Sequence, residues 1–347
     1  MITKKNGKQM AAVLAAALLL STAAASAAGP PVALTASAGV CMLVPCGTPF
    51  GIKMLTNGVV VVGTADLQTS TGAVNPAAKA DVHVGDIIRT VNGKAATGND
   101  QLGQMIQSSG GKALQLKLLR GGTELTASLL PVQSAGGWRA GLWVRDSAAG
   151  VGTLTFYDPQ TKTFAGLGHG ITDPDTHTIM PFGCGDIVPV TVSGVRSGTP
   201  GSPGELEGYF TSDSPIGTLY ANSERGVFGK MKQAPSGKAV PLCPASEVKS
   251  GPVQILCTID GGAPKAYSAE IELLNIRGTQ NKNMILHVTD EALLSKTGGI
   301  VQGMSGSPVL QQGRLVGAVT HVFVNDPTRG YGILAENMLK GESASAA

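Results

Sequence analysis

The stretch from Gly298 to Thr320, GGIVQGMSGSPVLQQGRLVGAVT, constrains this chain more than any other. Ser305 stands inside Gly303-Met304-Ser305-Gly306-Ser307-Pro308, and an apolar, strand-like run follows, Val309 and Leu310 and then residues 315 to 319, across a Gln-Gln-Gly turn. Glycines on both sides of a serine let the backbone take positive φ and turn its amides toward one point. Acyl transfer needs that arrangement. A serine oxygen attacks a carbonyl, and the developing oxyanion must meet preorganised donors, usually backbone N–H groups. The amides of Gly303 and Ser305 are the pair this spacing offers as an oxyanion hole. The same six residues also describe an ordinary turn between strands, so the catalytic reading requires a base.

His169 meets that requirement best. A strand-like run from Gly152 to Tyr157 turns at Asp158-Pro159, returns over 163 to 167, and delivers Gly168-His169-Gly170. A histidine framed by glycines has no packing walls of its own, which suits an imidazole that must reach a nucleophile at neutral pH. The rivals are His177, in the polar loop Asp173-Pro174-Asp175-Thr176-His177; His287, alternating with Leu286 and Val288 in a strand; and His321, directly after the nucleophile strand. His321 is the strongest of the three, and lining a substrate pocket is its alternative role. The serine segment resembles the Gly-Asp-Ser-Gly-Gly-Pro nucleophile loop of chymotrypsin-like peptidases, with Met304 in place of the aspartate and Ser307 in place of a glycine.

The beginning of the chain reads as an export signal. Lysines at 4, 5 and 8 precede an apolar run from Met10 to Leu20, and Ala25-Ser26-Ala27 fits a small-x-small cleavage site. Residues 1–27 are therefore a signal peptide or an N-terminal anchor, and 28–40 a proline- and alanine-rich linker. About 320 residues remain, enough for two domains. Forty-eight glycines, 42% apolar residues and only 4% aromatics fit a turn-rich β protein. A net charge of +3, spread along the chain with no basic tract, argues against nucleic acid. Cysteines at 41, 46, 184, 243 and 257 have no metal-ligand spacing, so no metal site is expected; Cys243 and Cys257 are candidates for a disulfide.

Residues 41–132 read as one module. A β-branched strand at 59 to 62 leads to Val84-Gly85-Asp86-Ile87-Ile88-Arg89-Thr90-Val91-Asn92-Gly93-Lys94, where Asn92-Gly93 signals a hairpin. Asn99 is placed to cap a helix with Leu102, Met105 and Ile106 on one face, ended by Gly110-Gly111. Strands at 113 to 119 and 124 to 130 follow. This order resembles a PDZ domain of the bacterial protease type, which implies binding of peptide C-termini by addition to a sheet edge. By position, Phe50, Gly51 and Ile52 are the expected carboxylate-binding loop. The plain alternative is a degenerate module that packs on its neighbour.

Residues 133–347 form the remaining domain. Strand-like runs separated by Gly, Pro and Ser turns, at about one per ten residues, favour an antiparallel double β-barrel over an α/β-hydrolase. The segments LWVRDSAAGVGTLTFYDP, GLGHGITDPDTHT and GGIVQGMSGSPVLQQGRLVGAVTHVFVNDPTRGYGILA closely resemble the stage IV sporulation protein B peptidases of endospore-forming bacteria. That resemblance implies a mainly β protein, a PDZ domain followed by a chymotrypsin-like serine peptidase domain, working without a cofactor. It implies export into the space between the forespore membranes, self-cleavage near the N-terminus, and cutting of a membrane-bound regulatory protein. By the same resemblance, that cut is expected to free an intramembrane protease to process the late mother-cell sigma factor.

Carried over by motif, the nucleophile is Ser305, the base His169 and the orienting acid Asp290. Asp173 and Asp175 are rivals for that third place, and Asp290 has an alternative role as a helix cap. The competing class is an exported PDZ scaffold that keeps a protease shape without activity.

Overall fold

Alternation of buried and exposed residues shapes several of the strands. In Lys265–Leu274, Tyr267, Ala269 and Ile271 face inward while Ser268 and Glu270 face solvent; Leu114–Arg120 alternates in the same way. A period of two leaves one buried face per strand, and such faces are satisfied by closing a sheet on itself. The computed structural model describes residues 40–277 and 281–345. The expected signal segment 1–27 and all but the last residue of the 28–40 linker lie outside the described residues.

Two rings of six strands result. In the first, Pro49–Thr64 pairs with Leu142–Asp158, then follow Thr163–Gly166, Gly226–Met231, Gly217–Ser223 and Phe182–Arg196, which pairs back to Pro49–Thr64. Phe50, Met54, Leu154, Phe164 and Ile187 fill it. The second is a closed barrel of Gly251–Cys257, Lys265–Leu274, Met284–Val288, Asp326–Leu334, Arg314–Phe323 and Pro308–Gln311, packed around Ile255, Ile271, Leu286, Val309 and Val316. A third cluster joins the two. Leu43, Phe156 and Phe228 from the first barrel meet Leu315, Ala318, Ile333 and, from the C-terminal helix, Met338. Each of these large buried side chains contributes roughly 1.5–3 kcal/mol over its exposed state.

The PDZ module grows out of the first barrel. Residues 49 to 55 of the Pro49–Thr64 strand pair inside the barrel with 147 to 153, whereas 60 to 64 of the same strand pair with 142 to 145. Register shifts between Arg145 and Ser147 mark the seam. Beyond it, Ile87–Val91, Leu114–Arg120 and Thr123–Leu129 extend the sheet, and helix Asn99–Ser108 covers it through Leu102 and Ile106.

Strand pairing crosses the division expected at 132/133: residues 42 to 55 pair inside the peptidase barrel, and 142 to 145 pair into the PDZ sheet. An uninterrupted strand carries no local boundary signal, since both halves bury the same kind of apolar face. The Asn92-Gly93 turn takes the expected positive φ at both residues. The helix cap differs: Gly98 is the cap residue, and the Asp146 carboxylate accepts the Asn99 amide at 2.8 Å in place of an Asn99 side-chain cap. Cys243 and Cys257 are unpaired thiols.

Candidate active site and peptide groove

Strand Thr163–Gly166 ends against the second barrel, and the two residues after it, Leu167 and Gly168, both take positive φ. A Cβ on Gly168 would lie 2.9 Å from Thr320 Cγ2 and from Ile333 Cγ2. Glycine there lets the backbone press against the second barrel, and His169 emerges into the cleft between the barrels. The nucleophile loop approaches from the other side under a similar demand. Gly306 has φ +96°, and a Cβ would stand 2.0 Å from the Thr153 carbonyl oxygen. Met304, where an aspartate would be charged, is wholly buried in the second barrel's core.

His169 and Ser305 line one cleft of about 440 Å³, together with Gly303, Thr320 and His321. Its remaining walls are mostly apolar, and among the described residues no Asp, Glu, Lys or Arg lines it. Ser305 Oγ donates to the Thr320 carbonyl at 2.6 Å. His169 Nδ1 lies 2.9 Å from the Gly170 carbonyl; since a carbonyl only accepts, Nδ1 carries the proton and Nε2 is left as the base. Burial holds the His169 pKa below the usual imidazole value, partly offset by that carbonyl. The ring is therefore neutral at pH 7, the form a general base needs. Among the described residues, neither the Gly303 nor the Ser305 amide is spent on a main-chain acceptor.

Asp290 does not join this pair. Its carboxylate accepts the amides of Ala292 and Leu293 at 3.0 and 3.1 Å and that of Ser268 at 3.1 Å, capping helix Glu291–Thr297. These bonds hold its pKa below the usual carboxylate range. A carboxylate that accepts three backbone N–H groups is committed to the helix cap rather than to an imidazole. The rivals are tied to other groups as well, although Asp173 Oδ2 meets Arg145 as an ion pair without a hydrogen bond. Asp173 is buried, receives the amides of Asp175 and Thr176, and faces Arg145 at 2.9 Å; Asp175 meets the same guanidinium at 2.8 Å.

The other rival histidines are accounted for: His287 pairs with Glu272 at 3.1 Å, and His177 sits in a turn at positive φ. Thr153 is the residue that sequence reasoning missed. Its amide donates to the Ser305 carbonyl at 2.9 Å, and its hydroxyl to the Gly303 carbonyl at 2.8 Å. One more β-branched residue in a strand gives no sequence signal for that.

Phe50, Gly51 and Ile52 also stand elsewhere than expected. They lie in the middle of a barrel strand, paired with 150 to 152 on one side and 187 to 189 on the other, with Phe50 and Ile52 in the core. They cannot hold a carboxylate. The cleft beside the PDZ helix is formed instead by Leu102, Gly103 and Ile106 on the helix and by Arg139, Gly141 and Val144 opposite, enclosing about 390 Å³. Among the described residues, 142 to 145 pair with 60 to 64 on one edge only, and their other edge has no strand partner.

Two antiparallel barrels with a glycine-framed serine and histidine in the cleft between them, carrying a PDZ domain, define a chymotrypsin-like serine peptidase. The family model described as SpoIVB peptidase S55 matches residues 136–339, a PDZ domain model matches 50–130, and the chain belongs to the SpoIVB peptidase S55 family. The strand at 142 to 145 that borders the PDZ cleft thus falls inside the peptidase match. Among solved structures, an inactive serine-to-alanine mutant of Rv3671c from Mycobacterium tuberculosis H37Rv is 15% identical, covering 56% of this chain and 82% of that one, with a TM-score of 0.33. The inactive form of the Rv3671c protease is 16% identical, covering 57% and 85%, with a TM-score of 0.34. The double-barrel description rests on the strand pairings above, not on these similarities. No match was found among curated proteins.

Proposed function

We propose that this peptidase is an exported endopeptidase of sporulation that cleaves itself and a membrane-bound regulatory protein between the forespore membranes. That cut triggers intramembrane activation of the late mother-cell sigma factor. Family membership supports the setting, and the lysine-led apolar segment before residue 28 supports export. The chemistry is carried by one observation, the convergence of His169 and Ser305 in a single uncharged cleft.

The reaction begins when Ser305 Oγ leaves the Thr320 carbonyl and gives its proton to His169 Nε2. The oxygen bonds to the scissile carbonyl carbon, and the resulting oxyanion is held by the amides of Gly303 and Ser305. Collapse expels the amine, which takes the proton from the imidazolium. Water, deprotonated by the same nitrogen, then releases the acid from the acyl-enzyme. Peptide C-termini enter the PDZ cleft by adding a strand to residues 142 to 145, with the backbone around Arg139 and Gly141 receiving the carboxylate.

N-terminal sequencing of protein expressed with export, wild type beside Ser305→Ala, tests this. Wild type should show signal removal and a second, internal cut, and the variant only the first. An internal cut persisting in Ser305→Ala would remove the assignment and leave an exported peptide-docking protein.

A further inference from the structure

In triad peptidases a carboxylate beside the base steadies the imidazolium; the three aspartates nearest that role here are committed elsewhere. What does stand beside the base is another ring. His321 lies with its centroid 4.7 Å from that of His169, the planes tilted by 34°. It comes from the strand Arg314–Phe323, directly after Thr320, whose carbonyl holds the resting Ser305 hydroxyl. The two imidazoles thus come from different barrels and face each other across the cleft that contains the nucleophile. Among the described residues, His321 Nδ1 is buried without a hydrogen-bond partner. A buried, unpaired ring nitrogen costs stability, so this ring is not placed there for its own hydrogen bonding.

We propose that His321 is the positioning residue of the base: its neutral ring face holds the His169 imidazole in the cleft and steadies the imidazolium formed when Ser305 loses its proton. An aromatic face attracts a cation within about 6 Å of its centroid, and the ring separation is inside that reach. Two charged imidazoles at this distance would repel, so the device works only while His321 is uncharged. Burial, the neighbouring His169 and the charge of Lys282 push its pKa down to about 4, which keeps it neutral wherever His169 acts as a base. His169 and Lys282 are the titratable groups that bear on it. Lys282 itself lies over the Tyr331 ring, 4.8 Å from its centroid.

This rests on the serine peptidase chemistry of Ser305 and His169. The test is the rate at which a fluorophosphonate labels Ser305 in the full chain, followed from pH 4 to 9 for wild type, His321→Phe and His321→Ala, with thermal unfolding of each. Wild-type labelling should rise to a plateau with a midpoint below the ordinary imidazole value. His321→Phe keeps a ring face and should hold the plateau within about 3-fold, within the range expected of a weak aromatic contact, with the midpoint close to that of wild type.

His321→Ala admits water to the cleft. Its plateau should fall about 10-fold, part of what a well-placed base supplies; on the midpoint, loss of the ring face acts downward and admitted water upward, so the plateau is the deciding readout. A merely structural role would lower the melting temperature and leave the plateau unchanged. Phe as slow as Ala, or Ala indistinguishable from wild type, overturns the assignment while leaving the peptidase reading intact. Should the Ala variant fail to fold, the Phe variant decides alone. Absence of labelling in wild type removes the peptidase reading and this one with it.

Discussion

Thr153 is bonded to Ser305 through the main chain, its amide on the serine's carbonyl at 2.9 Å, while its hydroxyl reaches two residues back to Gly303 at 2.8 Å. A first-barrel strand thereby grips two carbonyls of the second barrel's nucleophile loop, those of the peptide groups that directly follow the two bearing the oxyanion donors. Thr153→Val preserves the shape and removes only the hydroxyl. A buried carbonyl left unpaired costs about 1–3 kcal/mol, so the melting temperature should drop and Ser305 labelling should slow. Thr153→Ser, which keeps the donor, should recover most of the rate.

Asp290→Ala separates the helix-cap role from a triad role. Loss of a cap should cost about 0.5–2 kcal/mol in denaturant unfolding and leave Ser305 labelling within about 2-fold, since no catalytic hydrogen bond is lost. The pH dependence has a definite sign. The folded carboxylate titrates below its unfolded value, so its contribution is complete above the unfolded pKa and fades as pH falls through the folded one. Wild type and variant should therefore converge in stability in acid and differ most near neutrality. A collapse of labelling with stability unchanged would return Asp290 to the active site.

Arg145→Met removes the guanidinium that faces the buried carboxylate of Asp173. Breaking a buried pair leaves an uncompensated charge and costs about 3–5 kcal/mol; because Arg145 is partly exposed and Asp173 keeps two amide donors, the low end is expected. The loop that follows His169 is anchored by this pair, so labelling should slow as well. Pairing the change with Asp173→Asn should restore much of the stability, read as a double-mutant cycle.

Gly103 lines the PDZ cleft on the helix side, and a Cβ added there meets nothing within 4 Å. Gly103→Leu should therefore fill the cleft without collision. Helix propensity favours the change by roughly 0.5–1 kcal/mol, so the protein should melt no lower than wild type. Binding of a fluorescent peptide with a free apolar C-terminus, measured by anisotropy on the full chain, should be lost. Unchanged binding would place peptide recognition elsewhere.

The parts of this site that could be read beforehand are those with local signatures. Glycines around Ser305 and His169 announced backbone turns, and the β-branched alternation announced barrels, because both effects act within a few residues. The Asn92-Gly93 turn and the strand Met284–Val288 were legible for the same reason. Asp290 misled because a carboxylate ahead of a short helix suits a cap as well as a triad, and only the three amides around it decide. Phe50 to Ile52 misled because a Phe-Gly-Ile step fits a loop in one fold and a buried strand in another. The contacts of Thr153, Arg145 and His321 arise between residues from 28 to 152 positions apart, where no sequence window reaches.

The strands Pro49–Thr64 and Leu142–Asp158 each begin in one unit and finish in the other. Excising the PDZ sequence would therefore not liberate a free-standing enzyme; it would sever two staves of the first barrel, and the truncated gene product should be insoluble. The PDZ module and the peptidase barrel are welded, not strung together, so neither can be cut away without breaking the other.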